Sequence, residues 1–187
     1  MKTYKFFSIM GLLMAGVLSF SSCKKEETPE PQQPEMRTAT FNYAFNTGQV
    51  GEGTAYNGMH PTNLTAKMTI TEMNGNKAKV EVWLENTIEG ESYMVHAHDA
   101  ADPASTPNGT PYNESPNTNV LTLALKGGSA NHNHRVGHST AYGMQEANRS
   151  FDDLTTMYNA FFVVHDPTQP ISTTDLSTYL VVGVFAR

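Results

Sequence analysis

Apolar and polar positions alternate along most of this 187-residue chain, and a helical period is missing over nearly all of it. Successive side chains on a strand point to opposite faces, so alternation with period two reads as a strand with one buried face. Residues 38–46 alternate around Phe41, Tyr43 and Phe45. Residues 64–73 and 77–85 flank Asn74-Gly75-Asn76, a hairpin signal because asparagine and glycine accept a positive φ. Further strands are predicted over 93–98, 120–126, 157–165 and 179–186, about seven or eight in all. The last two are apolar on both faces and belong in a core. Only residues 140–151 offer a short helix. The pattern predicts an all-β Greek-key barrel or sandwich of about eight strands. Its long loops, 99–119 and 127–151, are of a length that compact domains more often keep for function.

The ends divide the chain. Residues 1–22 read as a signal peptide: Lys2 and Lys5 are followed by an apolar run too short to span a bilayer comfortably. The run ends Phe20-Ser21-Ser22-Cys23, which resembles a bacterial lipoprotein processing box with phenylalanine where leucine is more usual. Cys23 is the single cysteine. Lipidation there would leave no free thiol and no disulfide, and would anchor the body to a membrane without spanning it. Residues 23–37 then form the lipidated cysteine and a Pro/Glu-rich tether, and 38–187 one domain. Lys25-Glu26-Glu27 looks like a surface-export tag, so the expected location is the bacterial outer membrane or cell surface.

Charge narrows the partners. Without Lys2 and Lys5, ten basic residues stand against 18 acidic ones, a net charge of −8. No basic patch is left to hold a nucleic acid, and that class is excluded. A chain without thiolates also excludes zinc ribbons, iron–sulfur clusters and cysteine nucleophiles.

Seven histidines carry the candidate chemistry. His96 and His98 form one His-x-His at the end of a strand, on the face shared with Met94 and opposite Val95 and Ala97. Two imidazoles on one strand face are either solvated or ligands, and neutral imidazole is a common ligand for zinc, copper and iron. His165 closes an apolar run just before Asp166-Pro167. His132, His134 and His138 lie in a Gly/Asn-rich loop that either wraps a zinc ion or holds no ion. Asp99, Asp102, Asp152 and Asp153 are available as further ligands or as acceptors that fix histidine tautomers. His60, in Met59-His60-Pro61, reads as a surface residue.

Assembled in order, these residues resemble the copper/zinc superoxide dismutase family. Val80-Glu81-Val82-Trp83 through Gly90 to Val95-His96-Ala97-His98 resembles the strand leading into that family's His-x-His copper ligands. Asn108-Gly109-Thr110-Pro111-Tyr112-Asn113 resembles the loop of its bridging histidine. Phe162-Val163-Val164-His165, then Leu180-Val181-Val182-Gly183-Val184-Phe185, resembles its last copper ligand and closing strand. The resemblance implies an eight-stranded Greek-key barrel with copper on His96, His98 and His165, and a zinc site on His132, His134 and His138. It also marks departures. The bridging histidine falls at Pro111 or Tyr112, the substrate-guiding arginine near Tyr179, and the disulfide cannot form. Dismutation needs a cationic guide for an anion, so the expected function is copper binding with inefficient dismutation.

Two other classes fit parts of the chain. Gly90, His96-Ala97-His98, Asp102 and Gly109 have the spacing of a first cupin motif, which would make a metal-dependent enzyme. A metal-free adhesion or binding module related to chordin-type repeats would use the same sandwich with structural histidines.

Overall fold

The computed structural model describes residues 35–46, 55–128, 139–172 and 174–187, all within one compact unit, Glu35–Arg187. The signal segment, Cys23, most of the tether, and the His132, His134 and His138 loop lie outside the described residues. Eight strands follow in order: β1 Thr38–Tyr43, β2 Thr65–Met73, β3 Lys77–Glu85, β4 Ser92–Asp99, β5 Thr122–Lys126, β6 Thr140–Ala147, β7 Ala160–His165 and β8 Tyr179–Val184. They form two four-stranded sheets, β1-β2-β3-β6 and β5-β4-β7-β8, with every pair antiparallel. The predicted all-β class holds.

The sequence explains the pairing. Met73 pairs with Lys77 across Asn74-Gly75-Asn76, where Gly75 and Asn76 take φ of 78° and 60° and close the hairpin tightly. Alternation then turns Met68, Ile70, Val80, Val82 and Leu84 inward from one sheet. Val95, Ala97, Phe162, Val164 and Val181 turn inward from the other, and all ten are fully buried. Each larger side chain removed from water contributes roughly 1.5–3 kcal/mol, so this interior dominates stability.

The two sheets do not close into a barrel. Where β5 and β6 run side by side, a ladder would need their backbones about 4.8 Å apart. Leucine side chains stand there instead: a Cβ at Gly143 of β6 would lie 2.4 Å from Leu125 Cδ2. The seam is held by isolated bonds. Gln145 Oε1 accepts from the Thr122 amide at 2.7 Å, and Gln145 Nε2 donates to the Thr118 carbonyl at 2.7 Å. On the opposite side the Tyr43 hydroxyl donates to the Val184 carbonyl (3.2 Å) and accepts the Ala186 amide (2.9 Å). The molecule is a sandwich stitched at both edges.

The predicted helix over 140–151 is also corrected. Residues Thr140–Ala147 are β6, paired with β3 from Thr140↔Glu85 to Ala147↔Ala78. The helical turn lies later, at Asp153–Met157. Helix-favouring Met144, Gln145, Glu146 and Ala147 are overridden by the pairing, which buries Ala141 and Ala147 while Met144 and Glu146 face water.

Candidate metal centre

The outer face of the second sheet is built in rows. β4 pairs His96 with Thr122 on one side and Val163 on the other, and His98 with Phe161. Continuing that register by one residue sets Met94 across from His165. A register shift between Val164 and His165 then brings Tyr179 of β8 opposite His165. Residues directly opposite share a face, so His96, His98 and His165 all point away from the main core, as the alternation of β4 predicts.

That face is nevertheless not solvated. The Asp99–Leu121 loop folds over it: Ala100 bridges to Tyr112, and the Asn113 amide donates to the Asp99 carbonyl at 2.9 Å. Tyr112, Val163, Tyr179 and Val182 form a second small apolar cluster beneath it. His96, His98 and His165 are 8%, 1% and 3% exposed. The ring centroids of His96 and His98 are 5.8 Å apart, and those of His96 and His165 5.3 Å. Tyr112 packs on His98 with centroids at 5.0 Å, and Tyr179 packs edge-on against His165 at 4.5 Å.

The hydrogen bonds sort these rings. His98 Nδ1 lies 2.8 Å from the Asn113 carbonyl, which can only accept, so Nδ1 carries the proton and Nε2 keeps a lone pair. His98 Nε2 and His96 Nδ1 are both buried with no hydrogen-bond partner. An orphaned buried polar atom costs about 1–3 kcal/mol. The Tyr112 hydroxyl is a third buried atom without a hydrogen-bond partner; it lies towards Tyr179, whose own hydroxyl donates to the Ser172 carbonyl at 2.6 Å.

Electrostatics keep the rings neutral. Burial, reinforced by the nearby His98, pushes His96 down to about 4. Burial, reinforced by His96 and His98, pushes His165 down to about 3. Burial also lowers His98, opposed by the bond to Asn113 and the charge of Asp99. Neutral imidazoles are the form that binds metals.

Fit to an ion is partial. With nitrogen about 2.0 Å from a metal, two ligating imidazoles at a near-tetrahedral angle have centroids roughly 5.2 Å apart, close to both observed spacings. Yet among the described residues no group of three or more His, Cys, Asp or Glu side chains is arranged to hold one ion. The three histidines are neighbours, two with free nitrogens, and they do not surround a common point.

The carboxylates singled out in the sequence are engaged elsewhere. Asp99 accepts from Asn117 Nδ2 (2.9 Å) and the Tyr158 hydroxyl (2.7 Å). Asp102 is exposed and accepts the Ala104 amide. Asp152 pairs with Arg37, and Asp153 with Arg149. The fixing acceptor for His98 is instead a backbone carbonyl, Asn113, which no side-chain pattern announces.

His60 is a correction: it is 2% exposed, not a surface residue. Its Nδ1 donates to the Pro61 carbonyl and its Nε2 accepts from the Tyr93 hydroxyl, each at 2.8 Å. That hydroxyl in turn accepts the Ile88 amide at 2.6 Å. Its amide also donates to the Tyr56 hydroxyl, which donates to Asp166. Tyr56 lies only four residues upstream, but Tyr93 and Asp166 come from distant segments, so a window of sequence around His60 does not reveal its burial.

No protein-family model matches this chain, and no curated protein matches it.

Proposed function

We propose that this chain is an exported lipoprotein, anchored through Cys23 at the outer membrane or cell surface, whose superoxide dismutase-like sandwich binds copper through His96, His98 and His165. The observation that carries the reading is the pair of orphaned nitrogens, His98 Nε2 and His96 Nδ1, buried side by side. One ring is already fixed in the ligating tautomer by a carbonyl behind it, the arrangement that orients metal-bound histidines. The strand order around the sandwich, β1-β2-β3-β6 then β5-β4-β7-β8, supports a Greek-key topology, with β4, β5 and β6 followed around by β3. Bound copper would supply one-electron redox chemistry. The chain's own residues hold the ion and exclude water.

Efficient dismutation is not part of the proposal. Tyr112 stands where an imidazolate bridge would be, buried with its ring against His98. Tyr179 occupies the guiding-arginine position and supplies no positive charge. A second zinc site on His132, His134 and His138 belongs to the same proposal as an accessory ion.

A metal-free binding module is the second reading, favoured by the failure of the three rings to surround one point. The cupin-like enzyme loses ground because Asp102, in the place of that motif's carboxylate, is exposed and turned to the Ala104 amide.

Metal analysis of tag-free protein decides between them. One equivalent of copper is expected, lost when His96 and His98 are both replaced by alanine; unchanged copper in that variant ends the reading. Cys23→Ser should abolish fatty-acid labelling and release the protein from membranes, and a variant that stays membrane-bound would end the anchor.

A further inference from the structure

The outer face of the first sheet departs from its own pattern at one row. An antiparallel sheet with one face on a core turns polar side chains to water on the other. Thr38, Thr71, Lys79 and Glu146 form such a row across β1, β2, β3 and β6. The row of Asn42, Lys67, Trp83 and Tyr142 instead sets two aromatic rings side by side, and Trp83 is the only tryptophan of the chain. Its neighbours Val82 and Leu84 fill the core, so the half-buried indole lies on the opposite face.

The rings are held in place. Trp83 and Tyr142 have centroids 4.4 Å apart, the Tyr142 hydroxyl donates to Glu81 at 2.7 Å, and Lys79 pairs with Glu81 at 3.0 Å. The exposed Lys67 sets its ammonium 5.4 Å from the indole centroid. A contact of that kind in water holds the lysine by only roughly two- to fivefold, so it swings to a ligand at little cost.

A hollow of about 470 Å³ lies beside the indole, within the size range of small-ligand sites. Asn42, Thr65, Lys67 and Glu85 line it from three strands. They bring an amide, a hydroxyl, an ammonium and a carboxylate, so donors and acceptors stand together. Lys67 and Glu85 cancel, which leaves the lining no net charge to select an ion. The matching ligand is neutral, apolar on one face and hydroxylated at its rim. A sugar ring has this form. Its C–H groups meet the negative face of an aromatic ring, and its hydroxyls both give and take hydrogen bonds.

We infer that the hollow beside Trp83 binds a sugar unit of a neutral polysaccharide, with the C–H face on the indole and the hydroxyls on Asn42, Thr65, Lys67 and Glu85. The site lies on the other sheet from the histidines and is independent of the metal centre.

The single tryptophan makes the test direct, because all indole fluorescence comes from Trp83. Processed, full-length protein, in a detergent without a sugar headgroup, is titrated with dextran, mannan and xylan, and with hyaluronate as an acidic counterpart. Affinity electrophoresis in the same polysaccharides gives a second readout for variants without the indole. At least one neutral polysaccharide should shift the emission and retard the wild type, equally at low and high salt. Trp83→Ala should weaken that binding at least about 30-fold, and Trp83→Phe less. The exposed Asn42→Ala and Glu85→Gln should each weaken it about three- to tenfold, with the fold undisturbed. No binding of any neutral polysaccharide overturns the inference, as does binding that all four variants retain. Salt-sensitive binding of hyaluronate alone, or Trp83-dependent dimerisation in sedimentation, would assign the face to another occupant and overturn it too.

Discussion

β4 lies between two buried histidine regions that use the same side chain for opposite ends. On one side His60 has both ring nitrogens satisfied, by Pro61 and by Tyr93. On the other, His98 is equally buried, with one nitrogen satisfied and one left bare. Burial alone does not separate a structural imidazole from a ligand. The count of partners differs between the two, and the bare nitrogen is the one whose cost the fold has to offset.

The contrast can be broken by substitution. The largest effect is expected for His98→Ala, which should lower copper affinity beyond the 10–100-fold typical of losing a group behind a ligand, measured by chelator competition. His60→Ala should leave copper content untouched and cost about 2–3 kcal/mol in urea denaturation, since it strands the Tyr93 hydroxyl. If both variants lost copper alike, the two regions would not be distinct.

Acidification should sharpen the same contrast. His96 and His165 titrate below their ordinary value of 6.5, at about 4 and about 3. Between those values and pH 6.5 the unfolded chain takes up protons that the folded rings refuse. Stability of the metal-free protein therefore falls as pH falls through this window, by up to about 1.4 kcal/mol per pH unit for each ring. Denaturation midpoints measured from pH 7 to pH 4 check the slope, and His165→Asn should make it shallower. Tyr93→Phe strands both the Ile88 amide and His60 Nε2, so a loss of about 2–3 kcal/mol of stability is expected with copper binding unaltered, read from the same curves.

Much of the fold was legible from alternation alone. The β2–β3 hairpin lies where Asn74-Gly75-Asn76 sets it, and the single face shared by His96 and His98 follows from period two. β6 was not legible, because its residues favour a helix and only pairing with β3 makes them a strand. Closure failed for a local reason, leucine side chains standing where a ladder would run beside Gly143. Within the site, sequence placed the three histidines together but gave their face to water or metal without deciding. The cover over that face came from the Asp99–Leu121 loop, and the His98 tautomer from a backbone carbonyl at Asn113; neither leaves a mark in side-chain periodicity.

That loop governs time as well as place. Its C-terminal end is pinned to β4, by Asn117 donating to the Ala97 carbonyl at 2.7 Å and Ala97 donating to the Leu121 carbonyl at 3.1 Å. It also holds His98 through Asn113. An ion beneath such a cover exchanges no faster than the loop opens, whatever its intrinsic affinity. Residence would then be set by a local unfolding step, and amide exchange at Asn117 and the release of copper should share one rate.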